Sequence, residues 1–432
     1  MVEVSPVRAW HPNPEAGEAS RLVCPVYDTL SDEDVRRYAR HPSNAARFVP
    51  RPRNLPLPRF LETAAARLDE ALHDGAYVRD PRPSYYVYGI RYVPPADVLE
   101  TIEPDERRAE YLLLGLVGAL DLERAGHTTV ALHERTFDDR VEERMALTEA
   151  TGKSFAPIMA GYHLPDHGLN DLLEQLLGLN RRRLAFESAR TPVVEATLDG
   201  TTHRLWKIDD GPSVTQIRAI VAELRLLVLD GHHRYTAAAR RHDQGRPSAP
   251  LVMLVDGQDR ALRVLPWHRV LPARVRPFDQ VLGSAQRAFP HVARLAATPT
   301  PAAALRRLRE MHRTGRRGFL AAHGDALYEV HGTPEVSDVG SDFDLLHSFL
   351  EASLGIDPHE LLFVRSPRTA LDRLTTRQDP GEDGTALLLP PITELGIEER
   401  AFGSGRVMAH KSTMFLPKVA EGLIFGPADG RD

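Results

Sequence analysis

The chain has 432 residues, 42% of them hydrophobic, which is enough for two or three packed domains and excludes a disordered tail. Its formal net charge of -6 excludes a general attraction to nucleic acid or anionic membrane, so an anion site must be local and its ligand small. Cys24 is the only cysteine, which excludes an internal disulfide and a cysteine-rich zinc site and points to a reducing compartment, the cytoplasm.

No stretch approaches the ~20 uninterrupted apolar residues of a membrane span, and the first residues lack a charged-then-apolar signal pattern. A soluble protein is expected.

In the first hundred residues Ser31 is placed to cap a helix over Asp32 to Arg40. A second helix is predicted from Arg59 to His73, with Phe60, Ala64, Leu68 and Leu72 at four-residue spacing, Gly75 as its stop and a sheet as its packing partner. Pro83 to Val93 and Tyr111 to Leu120 are rich in apolar and aromatic residues and read as adjacent strands.

Chemistry first concentrates at His133, Glu134, Arg135 and Thr136, directly after the apolar Val130, Ala131 and Leu132. A carboxylate, an arginine and a hydroxyl at a strand end are groups that handle a metal-bound phosphate. Thr136 is also placed to cap the charged helix that follows. Leu172 to Leu184 reads as a helix, Val193 to Ile208 as a hairpin turning at Asp199-Gly200, and Ser213 as the cap of a helix over Val214 to Leu224.

The richest stretch is Leu226 to Arg240. Leu226 to Leu229 is a short apolar run, the pattern of a strand buried on both faces. It breaks at Asp230-Gly231 into His232, His233 and Arg234, followed by an alanine-rich helical segment. Gly231 permits an unusual backbone conformation or close ligand approach, the helix start offers unpaired N–H groups to an anion, and Arg234 adds a fork of donors suited to phosphate.

Pro250 to Asp256 is a further strand, and His268 and Arg269 in the run to Leu271 form a polar pair that reads equally as a site or an exposed loop. The pattern changes at Pro272 to Pro277, giving an N-terminal catalytic part over 1–275 and a C-terminal α/β part over 276–432. In the latter, Ala304 to Arg317 reads as a basic exposed helix, Phe319 to His331 and Phe343 to Leu354 continue the α/β rhythm, and Gln378 to Gly384 is a flexible turn. Lys411, Ser412 and Thr413 lack the upstream glycines of a phosphate loop, yet a lysine and two hydroxyls still suit a phosphate or carboxylate.

The elements at Pro25 to Asp28, His133 to Thr136 with Thr148 to Ala150, Asp230 to Tyr235, Pro266 to Arg269 and Lys411 to Thr413, in this order, resemble the domain-of-unknown-function-1015 family. Val26 stands where that family usually has a second proline, and Ala409-His410 replaces a proline-containing approach. The family is similar to the ParB and sulfiredoxin-like superfamily, which includes free serine kinases and CTP-binding partition proteins. The resemblance implies a mixed α/β fold with a ParB-like nucleotide core. It also implies that Asp230, Gly231, His232, His233 and Arg234 hold nucleotide phosphates and that Glu134 is the base on an acceptor hydroxyl.

The expected function is therefore a nucleotide-dependent kinase acting on the hydroxyl of a small metabolite such as free serine. The expected cofactors are ATP, ADP or CTP with Mg2+ contacted by Glu134 and Asp230, and the expected phosphate ligands include His133, Arg135, Thr136, Lys411, Ser412 and Thr413. The alternative is a ParB-like nucleotide switch with weak hydrolysis. A third reading, a metal hydrolase, uses Asp230, His232 and His233 as ligands. Nucleic acid is not an expected partner, since no helix-turn-helix with a basic recognition helix follows the nucleotide motif.

Overall fold

In a computed structural model, the chain is described over 2–52, 54–122, 129–164, 167–179, 187–332, 341–375 and 384–430. It is a mixed α/β protein, as its sequence implied.

The elements that position the site are, in chain order, β1 (Val4–Ser5), α1 (Asp32–Tyr38), α2 (Leu57–His73), β2 (Tyr85–Tyr92), β3 (Tyr111–Leu120), β4 (Val130–Leu132), α3 (Asp138–Thr151), β5 (Ile158–Tyr162) and α4 (Gly168–Leu177). They continue with β6 (Val194–Leu198), β7 (Thr201–Ile208), α5 (Gly211–Val221), β8 (Leu226–Asp230), α6 (His232–Asp243), β9 (Leu251–Asp256), β10 (Arg263–Pro266) and β11 (His268–Leu271). The rest are β12 (His291–Arg294), α7 (Pro301–Arg313), β13 (Gly318–His323), β14 (Ala326–His331), α8 (Asp342–Ser348), β15 (Leu362–Val364), β16 (Thr385–Leu388) and β17 (Thr413–Leu416).

Among the described residues the larger sheet runs β6-β7-β2-β3-β9-β5-β8-β4, with β1 added beside the end of β3. Its central strands β3 and β5 are buried along their whole length because both faces are covered. In β8, Leu227 and Leu229 join one core cluster while Leu226 and Val228 join another on the opposite face. The second sheet runs β12-β14-β13-β16-β11-β15. The chain then returns, and β17 pairs antiparallel with β10, bringing Met414 opposite Leu265.

Ser31 caps α1 as expected, in a full capping box with Asp34. The hairpin at Asp199-Gly200 and the neighbouring strands β2 and β3 also form as expected. Four expectations require correction. Thr136 does not cap α3, whose N-cap is Phe137 with no side-chain bond. Ser213 does not cap α5; the Asp210 carboxylate accepts its N–H, so the helix starts at Gly211 and ends at Val221. The α4 helix stops at Leu177 because Gly178 adopts a left-handed C-cap, and 180–184 lie outside the described residues. Helix α2 lays its apolar face against α3 and Phe425 more than against a sheet.

In the second part, Phe319 to His331 is a hairpin of β13 and β14, and α8 continues into a π-helical turn over Phe349–Ser353. The Gln378 turn lies outside the described residues apart from Gly384. No helix among the described residues is long and apolar enough to cross a membrane.

Candidate active site

β4 and β8 are adjacent and parallel, with Leu132 opposite Val228. The His133 to Thr136 segment and the Asp230 to Arg234 turn therefore leave the same sheet edge side by side, at the strand ends where α/β folds bind ligands. The turn works because Gly231 takes φ 87°, a left-handed value that a side chain resists. A Cβ there would lie 2.9 Å from the Arg234 guanidinium. Helix α6 starts at once with His232, so its first-turn N–H groups lack intrahelical partners.

Glu134 is 7% exposed and held from behind by the returning chain. Its Oε2 accepts the backbone N–H groups of Ser412 at 3.0 Å and Thr413 at 3.2 Å. Met408 adds a backbone bridge, its N–H donating to the His133 carbonyl at 2.8 Å and its carbonyl accepting from Arg135 N–H at 2.9 Å. Oε1 of Glu134 faces His232 Nδ1 at 3.6 Å, beyond hydrogen-bond distance.

Glu134, Arg135 and Thr136 also line a cleft of about 990 Å³. Its far wall comes from α8 and the π-helical turn, with Asp344, His347 and Glu351, and from Arg400, Arg406 and His410. Two ion pairs brace it, Arg400 with Asp344 and Arg240 with Asp138.

Asp230 points elsewhere. Its Oδ1 takes an ion pair from Lys418 and its Oδ2 lies 3.5 Å from Arg234. Burial would raise this carboxyl, but Lys418 and Arg234 outweigh burial and hold it below the usual range. A parallel pair joins Lys411 to Asp28 at 2.9 Å. Burial opposes the charge on Lys411, and Asp28 overrides it and holds the ammonium above its ordinary pKa. Lys411 itself sits at φ 52°, and Arg269 fixes that backbone by donating to the Lys411 carbonyl at 3.1 Å.

The structure thus brings nearly all the predicted residues together and alters what several of them touch. The Arg234 guanidinium donates to the Ala156 and Pro157 carbonyls at 2.9 and 3.1 Å, so these donors brace the turn. Ser412 Oγ donates to the Ala409 carbonyl, and Thr413 Oγ1 contacts His133 at 2.7 Å, so both hydroxyls face inward. His232 contacts His133 at 3.2 Å, while His233 turns away to accept the Phe137 N–H at 3.1 Å. Burial pushes His133 and His232 down to about 3 and His233 to about 4, so all three are neutral near pH 7.

Asp230, His232 and His233 have three different partners, so the structure does not present them as one set of metal ligands. Among the described residues no group of three or more His, Cys, Asp or Glu could hold a metal ion. Asp230, with both oxygens facing cations, does not fit as a magnesium ligand, and Glu134 Oε1 alone is one oxygen where Mg2+ takes six.

A family profile described as a protein of unknown function, DUF1015, matches residues 4–344. The chain belongs to the DUF1015 family. No curated protein matches it. Solved structures similar to it include a free serine kinase in complex with AMP, at 12% identity over 70% of this chain and 87% of that one, TM-score 0.39. A conserved hypothetical protein from Pyrococcus furiosus is similar at 12% identity over 70% and 90%, TM-score 0.37. A C-terminally truncated SbnI from Staphylococcus aureus is similar at 12% over 71% and 85%, TM-score 0.36. Likeness at this level fixes no ligand.

The Lys411 element that completes this DUF1015 site lies beyond the matched residues, yet it meets Asp28 and Glu134 from within them. Sequence reasoning left Arg269 open between a site and an exposed loop, and its complete burial in β11 excludes the loop. It missed three contributors. Asp28 stood inside a recognised motif, and its charge was the available signal. Lys418 carried only its charge, and His347 carried none.

Proposed function

We propose that this cleft binds a nucleotide and transfers a phosphoryl group to the hydroxyl of a small acceptor, with free serine or a related amino acid the leading candidate. The observation that carries the reading is the placement of Glu134: one oxygen tied by two backbone amides, the other 3.6 Å from His232 Nδ1, on a residue that lines a cleft of about 990 Å³. A base fixed in this way can take the proton of a hydroxyl as that oxygen attacks phosphorus.

The α6 N-terminus would supply positive potential for the nucleotide phosphates, and Lys411 and Lys418 would meet them by exchanging their carboxylate partners, Asp28 and Asp230, for phosphate. In this reading Asp230 and Arg234 shape the turn. Arg135, Arg406 and Glu351 put both signs of charge on the cleft walls, which suits an amino acid. Magnesium would arrive with the nucleotide and shield its phosphates.

Two-domain organisation near residue 275 belongs to the same proposal, with the cleft between the parts. The test is phosphorus NMR of the protein with ATP, ADP or CTP, magnesium and a panel of hydroxy amino acids. A phosphorylated acceptor is expected. No product with any pair overturns the reading, and tight nucleotide binding without turnover transfers it to the ParB-like switch.

A further inference from the structure

We infer that His133 and His232 are positioning residues locked as Nδ1–H tautomers, which keep Glu134 aimed into the cleft and neither bind phosphate nor relay protons. This rests on the reading of Glu134 as the base.

The chain of hydrogen bonds fixes every proton in turn. A carbonyl only accepts, so His133 Nδ1, 2.8 Å from the Val228 carbonyl, must carry hydrogen. The neutral ring then has a bare Nε2, and Thr413 Oγ1 at 2.7 Å donates its single hydrogen there. That hydroxyl has no hydrogen left for Glu134 Oε2 at 3.5 Å, which is why the two backbone amides hold that oxygen.

His232 meets the first ring nearly edge-on, with centroids 4.5 Å apart and planes at 80°. Its Nε2 lies 3.2 Å from His133 Nδ1. A ring nitrogen that carries hydrogen has no in-plane lone pair to accept another, so Nε2 of His232 is bare and its hydrogen sits on Nδ1, 3.6 Å from Glu134 Oε1. The tautomer of the second ring is thus dictated by a carbonyl two side chains away.

The chemical consequence concerns the direction of proton flow. As the acceptor O–P bond forms and the bond from phosphorus to the nucleotide leaving oxygen breaks, the hydroxyl proton passes to Glu134. Neither imidazole presents a lone pair to that carboxyl. The proton therefore cannot move inward and returns to solvent through the cleft.

The direct test uses folded wild-type protein. Long-range proton–nitrogen NMR on histidine-labelled protein near neutral pH, with H133Q and H232Q for assignment, should find both rings neutral with hydrogen on Nδ1. An Nε2–H tautomer or an imidazolium at either ring overturns the inference. A kinetic arm follows from the same geometry. His232→Asn keeps an N–H near the δ position and should retain more kcat than His232→Gln, which moves it outward. Thr413→Val should lower kcat on the order of tenfold with nucleotide affinity unchanged. Equal losses in the Asn and Gln variants, or a loss in KM alone, count against the positioning role. Wild-type protein with no turnover removes the base reading and leaves the tautomer result standing by itself.

Discussion

Glu134 and Thr413 are 279 residues apart in the chain, and the backbone N–H of Thr413 donates to the Glu134 carboxylate at 3.2 Å. One antiparallel pairing, β10 with β17, makes this possible by returning the chain to the edge where β4 ends. One carboxylate oxygen is thereby held by backbone amides, and its geometry depends on the closure of the last strand.

Glu134→Gln should leave the fold intact, because its amide oxygen can still accept from Ser412 and Thr413. Acceptor-dependent turnover should fall by about 10² to 10⁴, the usual contribution of a general base, with nucleotide affinity nearly unchanged by calorimetry. Full activity in this variant removes Glu134 from the chemistry.

Lys411 offers two effects of opposite sign. Lys411→Gly and Lys411→Ala each lose an ammonium whose pairing with Asp28 outweighs its burial, but Lys411→Gly also relieves left-handed strain of about 1 kcal/mol, so it should melt above Lys411→Ala. Both Lys411→Gly and Lys411→Ala should weaken nucleotide binding, by about tenfold if the ammonium meets a phosphate. Unchanged affinity in both excludes the residue from the ligand site.

Lys418→Met leaves the Asp230 carboxylate with only the 3.5 Å contact to Arg234. Removing one partner of a largely buried pair costs about 3 kcal/mol or more, and pairing it with Asp230→Asn should restore part of that loss. Urea denaturation of the two single variants and the double variant closes the cycle. Additive losses would exclude coupling between the two residues.

Acid should destabilise the protein earlier than its carboxylates alone require. Burial holds His133, His203, His232 and His268 down to about 3, against an ordinary histidine value near 6.5. Between those values the unfolded chain binds more protons than the folded one, so stability falls as pH falls, by about 1.4 kcal/mol per pH unit for each histidine. Urea midpoints measured from about pH 7 down to about pH 5 check the sign, and a flat profile contradicts it.

The sequence by itself determined the local pieces. The apolar run at Leu226 to Leu229 made a strand covered on both faces, and Gly231 made the turn into α6, because patterning and backbone freedom act over a few residues. The motifs also pointed to one chemical neighbourhood, which forms. What only the tertiary structure decided is the direction of each donor. Thr136 and Ser213 lost their capping roles to Phe137 and Asp210, as nearby residues compete for the same helix start. Arg234, Ser412 and Thr413 have the chemistry of phosphate ligands, but the fold turns Arg234 to two carbonyls, Ser412 to Ala409 and Thr413 to His133. A hydrogen bond needs its partner within about 3 Å and in line. Most of those partners come from segments up to 280 positions away, a distance over which local sequence carries no directional information.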